Sequence, residues 1–304
     1  PEEYSKFCNE TVPLARLEKR IFKNTDTLQT SIEVAHYGEK PLKNIIPTWT
    51  LTDVEGHIFN KGNFNKIDIQ IGNGIELGQL EIPFARIQKA QKLTLTVNVS
   101  GFENTWDVWV YPNKHEPINN ESSIKVVNKL DASTIEYLQK GGKVFLNITK
   151  GDIAPEKGEN IGVGFSSIFW NTSWTKGQKP HTLGILCNPD HPALANFPTE
   201  YHSNWQWWDA MSNSNAIVLD DFPTTLTPIV RIVDDWFKNR KTALIFEAKV
   251  GKGKIIMSGI DLHSDLDNRL EAKQLLYSLE NYMISPEFNP KTELEITEIQ
   301  SLLK

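Results

Sequence analysis

Two kinds of periodic order divide this 304-residue sequence. Together they predict a mixed fold: an N-terminal antiparallel β-sandwich over residues 1–112, then an α/β domain over 113–290, with a docking helix in 291–304. The first observation is period-two alternation of apolar and polar residues through the first third of the chain, the mark of half-buried strands. The second is a change to alternating strand and helix patterns further on. The third is the stretch between them, Tyr111-Pro-Asn-Lys-His-Glu-Pro-Ile-Asn-Asn120, which carries two prolines and little apolar content. Such composition suits a domain junction.

In the sandwich region, Leu28, Thr30, Ile32, Val34 and His36 alternate with Gln29, Ser31, Glu33 and Ala35. Leu93, Leu95, Val97 and Val99 alternate with Thr94, Thr96 and Asn98, and Trp106, Val108 and Val110 form one face of a further run. Turn signals separate these runs at Gly38-Glu-Lys-Pro41, Glu55-Gly56, Gly72-Asn-Gly74 and Gly101. Strands at this spacing with no helical pattern between them predict an antiparallel sandwich.

Beyond the junction, Ile124 to Val127 reads as a short strand. Ser133-Thr-Ile-Glu136 has the spacing of a capping box for a helix start, and Gly141-Gly142 signals its end. Strands follow at 143–147, 183–187, 216–219, 228–233 and 242–248. Gly251-Lys-Gly253 then turns the chain into Lys254-Ile-Ile-Met-Ser258. Leu275, Leu276, Leu279, Tyr282 and Met283 fall at helical spacing, and Leu294, Ile296, Ile299, Leu302 and Leu303 predict a short docking helix. The expectation is an α/β domain with a largely parallel sheet and a hairpin near its end.

Composition narrows the function. A net charge of −6 and the lack of a basic cluster argue against nucleic acid as a partner, since phosphate binding needs a basic stripe. No apolar run is long enough to span a bilayer, so no membrane span is expected. The sequence opens Pro-Glu-Glu without Met or a signal-like segment, as a processed protein or an excised fragment would. Cys8 and Cys187 give no disulfide framework, and Leu183-Gly-Ile-Leu-Cys187 reads as a buried strand with an inert thiol.

The richest segment runs from Gly164 to Asp209 and holds five of the nine tryptophans. Flat aromatic faces alternate there with hydrogen-bonding groups, a mixture suited to sugar rings or another domain. The ligand or domain-contact surface is therefore assigned to Trp170, Asn171, Trp174, His202, Asn204, Trp205, Trp207 and Trp208. Trp205, Trp207 and Trp208 are nearly consecutive, so no regular element can point all three the same way. At least one should face away from the core, beside Asn204 and Gln206 as donors and acceptors. The alternative is that the loop folds back and buries them all.

Catalytic chemistry is sparse. Asn9-Glu10 and Asn120-Glu121 lie in terminal and junction sequence and do not form the carboxylate pair of glycoside hydrolysis. Cys187 is followed by Asn188-Pro189-Asp190 rather than a Gly-rich elbow, and His202 is its best candidate partner. No His, Cys and Asp cluster shows metal-ligand spacing, Asp220-Asp221 and Asp234-Asp235 read as solvated loop charges, and no cofactor is implied.

Several phrases carry a resemblance: Val12–Arg20, Asn104–Pro112, Phe169-Trp-Asn-Thr-Ser-Trp174, Pro198–Asp209 and Phe246–Gly253. They resemble the C-terminal region of bacterial glycoside hydrolase family 2-type, β-galactosidase-like proteins of polysaccharide degraders. The resemblance implies an immunoglobulin-like sandwich followed by a flavodoxin-like, class I glutamine amidotransferase-like domain. It also implies upstream catalytic domains of the same polypeptide as partners, and a periplasmic or extracellular location. The family's acid/base and nucleophile glutamates have no counterpart here, so no catalytic residue carries over. The Gly-x-Cys-x-Gly elbow of amidotransferases is missing as well. The leading reading is a non-catalytic accessory region of a carbohydrate-active enzyme. A carbohydrate-binding module using the Trp-rich loop is the second, with a glycan as partner, and an independent hydrolase using Cys187 or Asp/His pairs is the third. The purified chain is expected to release no aglycone from aryl β-glycosides. Turnover lost in Glu10→Gln or Glu121→Gln, or turnover surviving both, would contradict that expectation.

Overall fold

The alternation of residues 27–36 becomes a strand whose even positions, Leu28 through His36, all turn into a core. The computed structural model describes residues 1–118, 123–165 and 176–304. It is mostly β, with several sheets, and divides into two units, residues 1–114 and 115–304.

The first unit is a β-sandwich. After a one-turn helix α1 (Glu2–Ser5) come β1 (Thr11–Ala15), β2 (Ile21–Lys23), β3 (Thr27–His36), β4 (Leu42–Ile45) and β5 (Thr48–Asp53). Then follow β6 (Ile58–Asn63), β7 (Ile67–Ile69), β8 (Gly72–Pro83), β9 (Gln91–Val99) and β10 (Phe102–Tyr111). One sheet runs β1-β3-β8 and the other β2-β10-β9-β5-β6, with β4-β7 as a small ribbon. Every pairing is antiparallel except β2 with β10. The two inner faces meet through Leu28, Ile32, Val34, Leu80, Leu93, Leu95 and Val97. Burial of each such side chain contributes about 1.5–3 kcal/mol. His36 is buried without cost because both ring nitrogens are satisfied: Nε2 meets the Lys40 carbonyl at 2.9 Å and Nδ1 meets Thr11 Oγ1 at 2.8 Å.

The second unit is built on one mixed sheet. Its strands are β11 (Ile124–Val127), β12 (Lys143–Asn147), β13 (Gly184–Cys187), β14 (Ile217–Val218), β15 (Val230–Val233), β16 (Thr242–Val250), β17 (Gly253–Ser258) and β18 (Glu293–Leu294). The order is β11-β12-β17-β16-β15-β13, with β14 and β18 also pairing to β16. The expectation of a largely parallel sheet is corrected. Among the described residues, only β11-β12, β12-β17 and β16-β18 are parallel, because the hairpin at Gly251-Lys-Gly253 reverses the chain and β13, β14 and β15 run antiparallel to their partners. The parallel pair β11-β12 needs a crossover, supplied by helix α2 (Ala132–Gln139).

Helix α2 begins at a different cap from the one the spacing suggests. Asp131 is the N-cap and accepts from Thr134 N at 2.7 Å, while Ser133 Oγ donates to the same carboxylate. These hydrogen bonds hold the Asp131 carboxyl down at about 2. Glu136 instead pairs with Lys140 on the surface. The other α-helices among the described residues are α3 (Trp207–Ser212), α4 (Leu270–Ile284) and α5 (Ile296–Ser301). A reciprocal capping box forms at α5 between Glu295 and Glu298. One sheet face, with Val144, Leu146, Phe246, Ala248, Ile255 and Met257, packs under Leu138 of α2 and Ile299 and Leu302 beside α5. The alternate residues Phe145, Ile245 and Ile256 are also fully buried, so both faces are covered.

Gly158 shows how closely the loops lie on this sheet. Its φ is +132°, and an added Cβ would sit 2.1 Å from the Ala216 carbonyl oxygen. Gly158→Ala is therefore expected to destabilise the second unit by roughly 1–3 kcal/mol, read from urea unfolding. A midpoint equal to wild type would show that the backbone there gives way freely.

Candidate functional site

Helix α3 decides where the tryptophans point. Trp205 stands in the turn that enters the helix and Trp208 in its first turn, three residues apart and so on one side. Their indoles stack with centroids 6.0 Å apart and an interplanar angle of 9°, and the two residues are 50% and 52% exposed. Trp207 lies between them in sequence and points the other way. It is fully buried, meets Phe197 edge-on at 5.1 Å, and donates from Nε1 to Thr199 Oγ1 at 2.8 Å. Trp207 is thus part of the core, and the contact surface assigned from sequence is corrected at that residue.

Two polar flanks are corrected as well. Gln206 is fully buried and donates from Nε2 to the Pro198 carbonyl at 2.8 Å. Asn204 spends its side chain on the turn: its amide donates to the Glu200 carboxylate, and its Oδ1 accepts from Gln206 N at 3.2 Å. Both hold the entry to α3 rather than flank a ligand. His202 is exposed and pairs as an isolated bridge with Leu186, its ring 4.9 Å from that of Tyr201. Trp170, Asn171 and Trp174 lie outside the described residues, as does Glu121.

Beyond the aromatic pair lies a cleft of about 570 Å³. Trp208 forms one wall and stands edge-on to Phe165 at 5.3 Å. Part of the floor, Lys150 and Gly151, comes from chain that follows the carboxyl end of β12, the end at which open sheets with parallel strands bind ligands. Asn215 ties this floor together, accepting from Gly151 N at 2.7 Å and donating to the Thr149 carbonyl at 3.0 Å. Lys150 reaches across to donate to the Ser212 carbonyl at 2.6 Å, where a cation suits the end of α3. The other side of α3 is pinned by Asp209, whose carboxylate receives Arg269 Nε at 3.0 and 2.9 Å. Arg269 immediately precedes α4, so the aromatic platform is fixed to the longest helix of the unit. Among the described residues lining this cleft, Glu159 is the only carboxylate, and it is bonded to Lys304.

The thiol reading is corrected in one respect. β13 is an edge strand, so Leu186 is exposed and Cys187 only half-buried. Burial nevertheless pushes the Cys187 thiol up to about 11, and its Sγ donates to the Glu200 carbonyl at 3.2 Å. The bridge between Leu186 and His202 brings His202 beside the strand that carries Cys187. The Asp234-Asp235 pair is buried, contrary to its reading as solvated charge: Asp234 takes a bidentate ion pair from Arg240, and Asp235 caps the backbone of Phe237 and Lys238. Among the described residues, one group also has ligand atoms close enough for a metal, against the sequence expectation. Asp53, Glu55 and His57 bring theirs within 4.8 Å in the exposed β5–β6 turn, where Asp53 is already engaged by the backbone amides of Glu55 and His57.

With this geometry in hand, comparison with known proteins places the chain. It belongs to the family described as domain of unknown function DUF8487, whose model matches residues 125–304. The model of a second family, domain of unknown function DUF8488, matches residues 26–112. No curated protein matches the chain. Among solved structures, it is similar to a β-glucosidase from Listeria innocua in complex with isofagomine at 15% identity, covering 34% of this chain and 16% of that one, with a TM-score of 0.27. It is similar to a Parabacteroides merdae β-glucuronidase at 11% identity, over 45% of this chain and 21% of that one, with a TM-score of 0.23. A Pseudomonas fluorescens alkylpurine DNA glycosylase, AlkC, bound to DNA containing an abasic site analog, matches at 11% identity over 34% and 30%, with a TM-score of 0.28. The chain spans less than a third of the length of each of these three proteins. Scores this low carry no argument about activity. No described helix is long and apolar enough to cross a membrane.

Alkylation of Cys187 reads its environment directly. A thiol held at about 11 instead of its ordinary value of 9.0 carries about 100-fold less thiolate at pH 8. Native-state labelling is expected to be slower than in the unfolded chain by about that factor, and to accelerate as pH rises toward 11. Equal rates in the folded and unfolded chain would show a free, reactive thiol.

Proposed function

We propose that this chain is a non-catalytic accessory region of a carbohydrate-active enzyme, and that the Trp205–Trp208 face is where it meets a glycan. The observation that carries the reading is the stacked, half-exposed indole pair set at the rim of a polar-floored cleft. Sugar rings present flat patches of C–H bonds, and an indole face covers such a patch at little entropic cost. Binding sites of this type pair an apolar wall with a few placed polar groups, here Lys150, Ser212 and Glu159.

The finer fold reading supports the same placement. An immunoglobulin-like character for the sandwich, and an amidotransferase-like or flavodoxin-like ancestry for the α/β unit, agree with the phrase resemblance to glycoside hydrolase family 2-type proteins. The parallel trio β11-β12-β17 with its α2 crossover is the part of the second unit that supports that ancestry. On this reading the catalytic domains lie elsewhere in the same polypeptide, and the protein works in the periplasm or outside the cell. The reading as an independent hydrolase is weakened by the Cys187 environment, since burial works against the thiolate that a nucleophile needs.

Tryptophan fluorescence titrated with neutral oligosaccharides tests the proposal. Saturable quenching is expected in wild type, with Trp208→Ala weakening it about tenfold or more, which is about 1.4 kcal/mol. Trp207→Ala separates binding from folding, because emptying a buried indole site costs about 3–5 kcal/mol of stability. Titrations in which neither wild type nor Trp208→Ala responds to any oligosaccharide would end the glycan reading.

A further inference from the structure

We infer that a second cavity, between β13, β15 and β16, binds an anionic sugar through its carboxylate or sulfate group. It shares no lining residue with the Trp208 cleft, and at about 760 Å³ it is the larger of the two. That volume falls in the ordinary range for small-ligand sites, about 300–1,000 Å³.

The charge of its walls is what identifies the ligand. Arg231, Lys241 and Lys291 line the cavity against one carboxylate, Glu247, in a chain whose net charge is −6. Clustering of one sign in a cleft of an oppositely charged protein focuses field on a ligand of the other sign. The side chains of Arg231 and Lys291 make no ion pair or hydrogen bond among the described residues, so their donors remain for a ligand. Lys241 is partly committed, donating to the Pro223 carbonyl at 2.9 Å. Burial and the facing Arg231 guanidinium both lower its pKa, and Asp220, bound to its backbone amide, works in the other direction. An anion placed between Arg231 and Lys241 removes their mutual repulsion.

Glu247, the one carboxylate of the lining, accepts from Tyr282 Oη at 2.7 Å. Burial raises its pKa, against the opposing pull of Lys254 and Lys291. His191 adds a neutral donor. Its Nδ1 accepts from Ala193 N at 3.2 Å, which leaves the proton on Nε2. Burial also lowers its pKa, so the ring stays uncharged at neutral pH. Thr224 and Thr227 line the same cavity and supply hydroxyls suited to the rest of a sugar ring. A guanidinium, two ammonium groups and neutral donors together fit a carboxylate or sulfate ester on a polyol.

The anion chemistry rests on these residues alone, while the choice of a sugar as its carrier rests on the function proposed above. The experiment separates the two. The whole chain is titrated by calorimetry with a uronate disaccharide, a sulfated disaccharide, a neutral disaccharide and inorganic sulfate. A charged disaccharide is expected to bind at least about tenfold tighter than the neutral one, and to weaken as salt is raised. The uronate and sulfate arms tell which anion the site takes. Arg231→Gln with Lys291→Gln should abolish the preference, Trp208→Ala should leave it intact, and Arg231→Lys with Lys291→Arg should keep part of it. No preference for charge, or a preference that survives the double Gln variant, overturns the inference. If inorganic sulfate binds in an Arg231- and Lys291-dependent way while no saccharide binds at all, the anion site stands and the glycan reading fails.

Discussion

The burial of Trp207 is the constraint from which the exposed face follows. Its indole is sealed by Phe197 and tied to Thr199, and no rotation of α3 can bring it out without emptying that space. With Trp207 fixed inward, its neighbours at 205 and 208 are forced to the outer side, and their three-residue separation brings them together. A helix of six residues has little stability of its own. Its position is set by what anchors it: Gln206 and Asn204 at its entry, Lys150 at its last carbonyl, and the Asp209–Arg269 pair on its flank. The aromatic platform is therefore a rigid consequence of core packing, and a rigid aromatic face loses little entropy on binding.

Much of this was legible in the sequence, and the reasons are local. Alternation over 27–36 and 91–99 specified strands because one face of each packs into a sandwich and the other meets solvent. The impossibility of aiming Trp205, Trp207 and Trp208 one way needed only helical geometry. Which of the three turns inward depended on Phe197 and Thr199, whose proximity is tertiary. The roles of Asn204 and Gln206 were hidden for the same reason: a polar side chain beside a Trp reads as a ligand contact until its partner, here Glu200 or Pro198, is seen.

Strand direction was the larger miss. A short apolar strand such as 217–218, buried on both faces, looks alike whether it runs parallel or antiparallel. Only the connections decide. The hairpin at Gly251 was visible because glycines mark it, and it reverses β16 against β17. Once β16 is reversed, β15 and β14 pair antiparallel to it, and β13 antiparallel to β15. One turn thus separates a parallel half, β11-β12-β17, from an antiparallel half.

That division also separates the two cavities in chemistry. The parallel half gathers loops at its carboxyl ends, and there the chain builds an apolar wall over a hydrogen-bonded floor. The antiparallel half ends in β13, an edge strand with Leu186 exposed, and antiparallel neighbours set side chains distant in sequence side by side. Arg231 on β15, Lys241 just before β16 and Lys291 just before β18 are brought to one cavity by the pairing of these strands. No run or motif in the sequence joins them, so composition reports only a net negative chain. The local field is opposite in sign to the total, and a ligand approaching that edge meets the local field first, because charges beyond about 8–10 Å are screened at physiological salt. Net charge therefore argues against a polyanion that needs a long basic stripe, and not against a single anionic group on a small sugar.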